Sequence, residues 1–185
     1  MVVNITLVDP KELTPHEDVD LRLIKARFNE IKSGLVYPIV VEKNLKFIID
    51  GHHRWYVFYE LGLKVPAFFV DYSLVENSSW RLKALIEDLK TDRDGEVCIE
   101  YNGLRLLCED DYYTFYWSLH EEIVKRGLDP LAVKLSAEGV PLPALPKQEV
   151  IRAAKLGIVY PPKTTRHILE FKLQPVKMLT SDGDA

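Results

Sequence analysis

The chain has 185 residues, 47% of them apolar, enough for one medium domain or two small ones that share an interface. Its formal net charge is −4 and its pI about 5.8, without the basic excess that a dedicated duplex-DNA binder carries to displace counterions. No run of 18 apolar residues exists, and Met1-Val2-Val3-Asn4-Ile5-Thr6 lacks the basic start of a signal peptide, so a cytoplasmic protein with no membrane span is expected.

In chain order, Asp9-Pro10-Lys11-Glu12 reads as a helix start, with Asp as N-cap and Pro at the first helical position. Thr14-Pro15-His16-Glu17 repeats the signature and is expected to open a helix carrying Leu21, Ile24, Phe28 and Ile31 on one face, closed by Gly34. Runs 38–42 and 47–50 flank Lys43-Asn44 and predict a hairpin. Asp50-Gly51-His52-His53-Arg54 follows, then an aromatic helix ending at Gly62 and a strand over 66–72.

The second half differs. Residues 79–90 read as a helix, and 96–109 as a hairpin about Asn102-Gly103. With a two-residue loop, Glu100 faces Arg105 and Ile99 faces Leu106. Cys98 then faces Leu107 and Cys108 faces Val97, so no disulfide is expected. A helix over 111–126, an extended connector through Pro141, Pro143 and Pro146, and a short helix over 147–156 closed by Gly157 complete the pattern. The tail beyond about Lys177 is polar and expected to fray. Scarce Met and Cys beside abundant charge fit a thermophile.

Three clusters can carry chemistry. Asp50 to Arg54 stands where a strand ends and a helix begins. Glycine there lets the backbone turn tightly, the helix start favours an anion, and Arg54 adds a planar fork. Asp50 can hold a metal ion or orient a hydroxyl, or it can merely cap the helix. Glu17 is either the distal member of a capping box or a general base. Pro161-Pro162-Lys163-Thr164-Thr165-Arg166-His167 offers two hydroxyls and three basic side chains, suited to a carboxylate or phosphate; a solvated basic loop has the same composition. Trp80 suits either the core or a ligand face. P-loop, G-x-G-x-x-G and protein-kinase signatures are absent from the sequence.

The Asp-Gly-His-His-Arg block after a hairpin resembles the signature box of the ParB/sulfiredoxin-like fold. Sulfiredoxins share the terminal His-Arg but place a catalytic cysteine where His52 stands here. Chromosome-partitioning ParB proteins carry a Gly-Glu-Arg-Arg box and a helix-turn-helix domain, neither of which this sequence has. The free L-serine kinases are more similar. They resemble this chain at Pro15-His16-Glu17, at Asp50 to Trp55, and at Val159 to His167.

That resemblance implies a mixed α/β (α+β) fold. A ParB/sulfiredoxin-like nucleotide-binding domain would span 1–72, and a smaller α/β part, 73–185, would pack on it. It implies phosphoryl transfer from ADP or ATP to the hydroxyl of L-serine, with Mg²⁺, giving O-phosphoserine for cysteine synthesis. Glu17 and Asp50 become the catalytic pair, Asp50 doubling as metal anchor. Ser33, Gly34, Gly51, His52, His53 and Arg54 fall to the nucleotide. Trp80, Lys163, Thr164, Thr165, Arg166 and His167 fall to the amino acid. A monomer or small homo-oligomer binding no nucleic acid is expected. The alternatives are a ParB-like nucleotide-binding regulator or DNA-binding protein, and a kinase for threonine or another small alcohol.

Overall fold

The structure, a computed structural model, describes residues 4–91, 94–134, 138–170 and 172–178. The frayed tail expected after Lys177 falls mainly on 179–185, and part of the N-terminal reading on 1–3, outside the described residues. The chain forms two compact units. One takes residues 1–76, 153–159 and 169–185, the other 77–152 and 160–168.

The first unit is built on a mixed four-stranded sheet. Its strands are β1 (Thr6–Val8), β3 (Ile39–Glu42), β4 (Ile48–Asp50) and β5 (Val65–Val70), in the order β1-β5-β3-β4. β3 runs parallel to β5, pairing Ile39 with Ala67 through Glu42 with Val70, and antiparallel to β4. Every residue of β3 is buried, as a central apolar run should be. Between β3 and β4 the register shifts: Val40 pairs with Asp50 but Val41 with Ile48, leaving Ile49 as an extra residue. Such a bulge re-aims the end of a strand, and here that end is Asp50.

α1 (Leu21–Lys32) and α2 (His52–Leu61) complete the unit, with Val57 and Phe58 of α2 packed into the core beside Ile39, Val41 and Ala67. α2 ends at Gly62 in the left-handed region, as its sequence predicts. The Asp9 signature gives only a 3-10 turn, Pro10–Glu12. α1 does not start at Thr14: its N-cap is Asp20, whose carboxylate accepts the Arg22 N–H at 2.9 Å. A short β2 (Leu35–Val36) pairs with a strand from the far end of the sequence, described below.

β6 (Glu76–Ser78) leads into the second unit, where β7 (Arg81–Leu82) and a 3-10 turn, Ile86–Asp88, stand in place of the helix expected over 79–90. The hairpin of β8 (Val97–Tyr101) and β9 (Leu104–Glu109) turns on Asn102 and Gly103, both at positive φ. Its Ile99–Leu106 and Glu100–Arg105 pairs match the expected register. Beyond Ile99 the register shifts, with Leu107 at φ 52. The extra residue brings Cys108 opposite Cys98, and the two form a disulfide, S–S 2.07 Å. The expectation of two sulfurs on opposite faces was therefore wrong, because it assumed an unbroken ladder. α3 (Tyr112–Lys125) is N-capped by Asp111 and buries Phe115, Tyr116, Leu119 and Ile123. α4 (Pro130–Lys134), β10 (Val140–Pro141) and α5 (Lys147–Leu156) follow, with α5 straddling the division between units. β10 pairs with β7, and β11 (Arg166–Ile168) ends the unit. β12 (Val176–Lys177) belongs to the first unit and is the partner of β2. No helix among the described residues is long and apolar enough to cross a membrane.

Candidate active site

In the first unit the site gathers at the end of β4. Gly51, not Asp50, is the N-cap of α2, at φ 97 and without a side-chain capping bond. This removes the helix-cap reading of Asp50, which is exposed. The first helix amide bonded inside α2 is that of Trp55, donating to Gly51 O at 2.9 Å. The preceding amides form the positive end of the helix dipole. Space as well as conformation demands glycine here. A β-carbon on Gly51 would lie 2.6 Å from Ile39 Cγ2 and 3.1 Å from an Arg54 guanidinium nitrogen.

Arg54 and Asp50 line a cleft of about 330 Å³ with Tyr37, Pro38, Leu169, Lys172, Leu173 and Gln174. That is within the size range of small-molecule sites. Arg54 is held from two sides, its Nε 3.4 Å from Glu30 Oε1 and its guanidinium carbon 5.9 Å from the Tyr37 ring centroid. Burial pushes the Arg54 guanidinium below its usual pKa, and the Asp50 and Glu30 carboxylates oppose that. Glu30 also accepts the Tyr37 N–H at 3.0 Å and an Arg27 N–H at 2.8 Å. Glu30, Tyr37 and Lys172 were not singled out in the sequence, because nothing local marks a cleft wall assembled from three separate segments.

Ser33 and Gly34 close the C-terminal end of α1. The Ser33 hydroxyl donates to Glu30 O at 2.5 Å, and the Gly34 N–H donates to Ile31 O. Gly34 also receives the C-terminal strand: Met178 N–H donates to Gly34 O at 2.6 Å, and a β-carbon on Gly34 would stand 3.2 Å from Met178 O.

Glu17 lies before α1, so the capping-box reading fails with the helix start that it required. Its side chain is buried, at 9% exposure, with Oε2 3.7 Å from His16 Nε2. His16 is fully buried, its ring edge-on to His52 at 4.6 Å. The His16 N–H donates to His52 Nε2 at 3.2 Å, and the Asp20 N–H to His53 Nε2 at 2.9 Å. The structure thus brings Glu17, His52, His53, Asp50, Gly51 and Arg54 into one unit around the start of α2.

The second unit holds the other cluster. Trp80 is half-buried, and its indole N–H donates to Thr165 O at 3.3 Å. Lys163 Nζ lies 5.2 Å and the Arg166 guanidinium carbon 5.7 Å from the Trp80 ring centroid. Trp80 is therefore a platform for the cations of the Pro161–His167 loop, not a core residue. The loop is braced from beneath: buried Lys134 donates to Pro162 O at 3.2 Å. Thr164, expected to touch substrate, is fully buried, and its hydroxyl donates to Pro161 O at 2.7 Å, closing the turn. Beside the loop, burial pushes the Tyr160 hydroxyl pKa well above its usual value.

Sheet order, bulge and helix start define a ParB-like α/β fold. A free serine kinase solved in complex with AMP has the same fold, at a TM-score of 0.70 and 24% identity, over 95% of this chain and 92% of that one. No protein-family model matches the sequence. A ParB-like protein of Sulfolobus acidocaldarius is 31% identical over 187 residues, 93% of this chain and 94% of its own. An ATP-dependent L-serine kinase of Staphylothermus marinus is 30% identical over 220 residues, 91% of this chain and 87% of its own. The chain belongs to the ParB-like family that includes these L-serine kinases.

Proposed function

We propose that this protein is a free L-serine kinase, transferring a phosphoryl group from ATP or ADP to the serine hydroxyl. The observation that carries the reading is the Gly51 turn: a left-handed glycine at a helix start, with Arg54 and Asp50 on the wall of a ligand-sized cleft. The same reading is supported by a relative, similar over nine-tenths of the chain, that is itself an L-serine kinase.

In this reading the nucleotide phosphates lie at the amides of the α2 start, with Arg54 supplying the fork. The turn at Ser33 and Gly34 presents helix carbonyls, the wrong polarity for phosphate. It acts on the cleft by fixing the end of α1 that carries Glu30 and receives β12. Among the described residues no three or more His, Cys, Asp or Glu side chains converge as a metal cage. One exposed carboxylate beside a phosphate turn suits Mg²⁺, which keeps much of its water and takes ligands from substrate phosphates. Bound through Asp50, it would neutralise charge on the phosphates being parted.

Glu17 acts as the base, taking the proton of the serine hydroxyl as its oxygen bonds to phosphorus. The bond from phosphorus to the leaving nucleotide breaks, releasing ADP from ATP or AMP from ADP. Lys163 and Arg166, held on Trp80, take the serine carboxylate, with Thr165 and His167 completing that subsite. Little covalent chemistry is asked of the protein beyond positioning and charge neutralisation. The product is O-phosphoserine, a precursor suited to cysteine synthesis.

A second reading has its own support, since the 31% identical relative is a ParB-like protein. Incubation with ATP or ADP, Mg²⁺ and serine or threonine, run beside a gel shift with duplex DNA, separates the readings. Serine-dependent nucleotide consumption without a shift supports the kinase.

A further inference from the structure

Lys134, the last residue of α4, is fully buried. Lysine is almost never wholly buried unless its amino group has partners, because taking an ammonium out of water is costly. The proposed mechanism gives this lysine no task. Its Nζ donates to Pro162 O at 3.2 Å, inside the loop that carries Lys163, Thr165 and Arg166.

Residues 161–164 form a tight turn, closed where the Thr164 hydroxyl donates to Pro161 O at 2.7 Å. The ring of Pro162 fixes its own φ and leaves it no N–H to anchor. Lys163 comes next, at φ 59. Proline second and a left-handed residue third is the pattern of a type II turn, whose third place usually takes glycine. A lysine there carries backbone strain that its surroundings must hold. One rotation of the Pro162–Lys163 peptide plane turns the Pro162 carbonyl and resets φ at Lys163 together. The bond from Lys134 fastens that carbonyl. The turn so held puts Lys163 Nζ 5.2 Å from the Trp80 ring centroid.

We propose that Lys134 is a positioning residue for the amino-acid subsite: by holding the Pro162 carbonyl it keeps Lys163 left-handed, with its ammonium over Trp80. Lys134, Pro162, Lys163 and Trp80 all belong to the second unit. The claim rests on the reading of this loop as the site of the serine carboxylate.

Lys134→Met keeps the length of the side chain and removes the donor. With no ligand present, proton NMR of wild type should show the Lys163 side-chain methylenes shifted upfield by the Trp80 ring, a shift that Trp80→Leu abolishes and so assigns. Lys134→Met should move them toward the values of free lysine. In the kinase assay it should raise serine KM about threefold or more, the scale of a cation–π contact, and leave nucleotide KM within about twofold. In a Lys163→Ala background the same change should raise serine KM by less than about twofold, because Lys134 acts through Lys163. If Lys134→Met does not fold, Lys134→Gln, one bond too short to reach Pro162 O, takes its place with the same expectations.

Lys163 methylenes that stay over the ring in the variant would overturn the proposal. So would effects of Lys134 and Lys163 on serine KM that multiply. A wild-type protein inert toward serine would instead remove the kinase reading, while the methylene shifts would still decide whether Lys134 holds the turn.

Discussion

Gly51 lies so close to Ile39 that a β-carbon added to it would stand 2.6 Å from Ile39 Cγ2. The same atom would press on Arg54, and its residue would be held at φ 97. Gly51→Ala should therefore cost about 1–2 kcal/mol for the left-handed backbone and about 1–3 kcal/mol for overpacking. Tm should fall by several degrees. ADP affinity should fall further than Tm alone explains, because the turn and Arg54 move together. Thermal melts beside calorimetry check this; a normal Tm with normal affinity would show that the turn relaxes freely.

Arg54 meets Glu30 through Nε and Tyr37 through its face, an arrangement that needs a planar guanidinium. Arg54→Lys keeps the charge and loses the fork. Nucleotide affinity should drop about tenfold or more, on the scale of one charge-assisted hydrogen bond. Serine KM should change little. Equal loss in both substrates would place Arg54 outside the phosphate subsite.

Much of this was legible locally. The ends of α2 and α3, the Asn102-Gly103 turn and the limits of α5 follow from caps, glycines and periodicity, which are short-range signals. The start of α1 was not, because a helix-start signature at Thr14 is overridden by partners at Phe47, His52 and His53. Residues 79–90 read as helical on their own, yet Leu82 pairs with Val140 and the Leu142 N–H donates to Trp80 O, contacts about sixty residues away. The three clusters were visible as residue types. That His52 and His53 face the Glu17 segment, and that Tyr37 and Lys172 wall the cleft, depends on chain crossings that no local pattern encodes.

The Cys98–Cys108 disulfide closes a hairpin with a sequence separation of 10. In the oxidised protein, thiol titration under denaturing conditions should find no free cysteine. Reduction, or Cys98→Ser with Cys108→Ser, should cost about 2–3 kcal/mol and lower Tm. Two titratable thiols in the untreated protein would contradict the bulged register.

Trp80 carries Lys163 and Arg166 over its ring. Trp80→Leu removes the platform and should raise serine KM about threefold or more, the scale of exposed cation–π contacts. Trp80→Tyr should recover part of it, and nucleotide KM should hold in both. A serine KM unmoved by Trp80→Leu would make the loop self-supporting.

Serine phosphorylation by this protein depends on the Glu17 carboxylate as base. Phosphorus NMR of wild type and Glu17→Gln, each incubated with ATP or ADP, Mg²⁺ and L-serine, tests it most directly. Glutamine keeps the shape of the buried side chain but cannot take up the serine proton. Wild type should give O-phosphoserine in step with nucleotide consumed. Glu17→Gln should bind ADP normally and turn over ~10²–10⁴-fold more slowly. Nucleotide untouched by wild type in the presence of serine, or phosphoserine formed equally fast by Glu17→Gln, would contradict it.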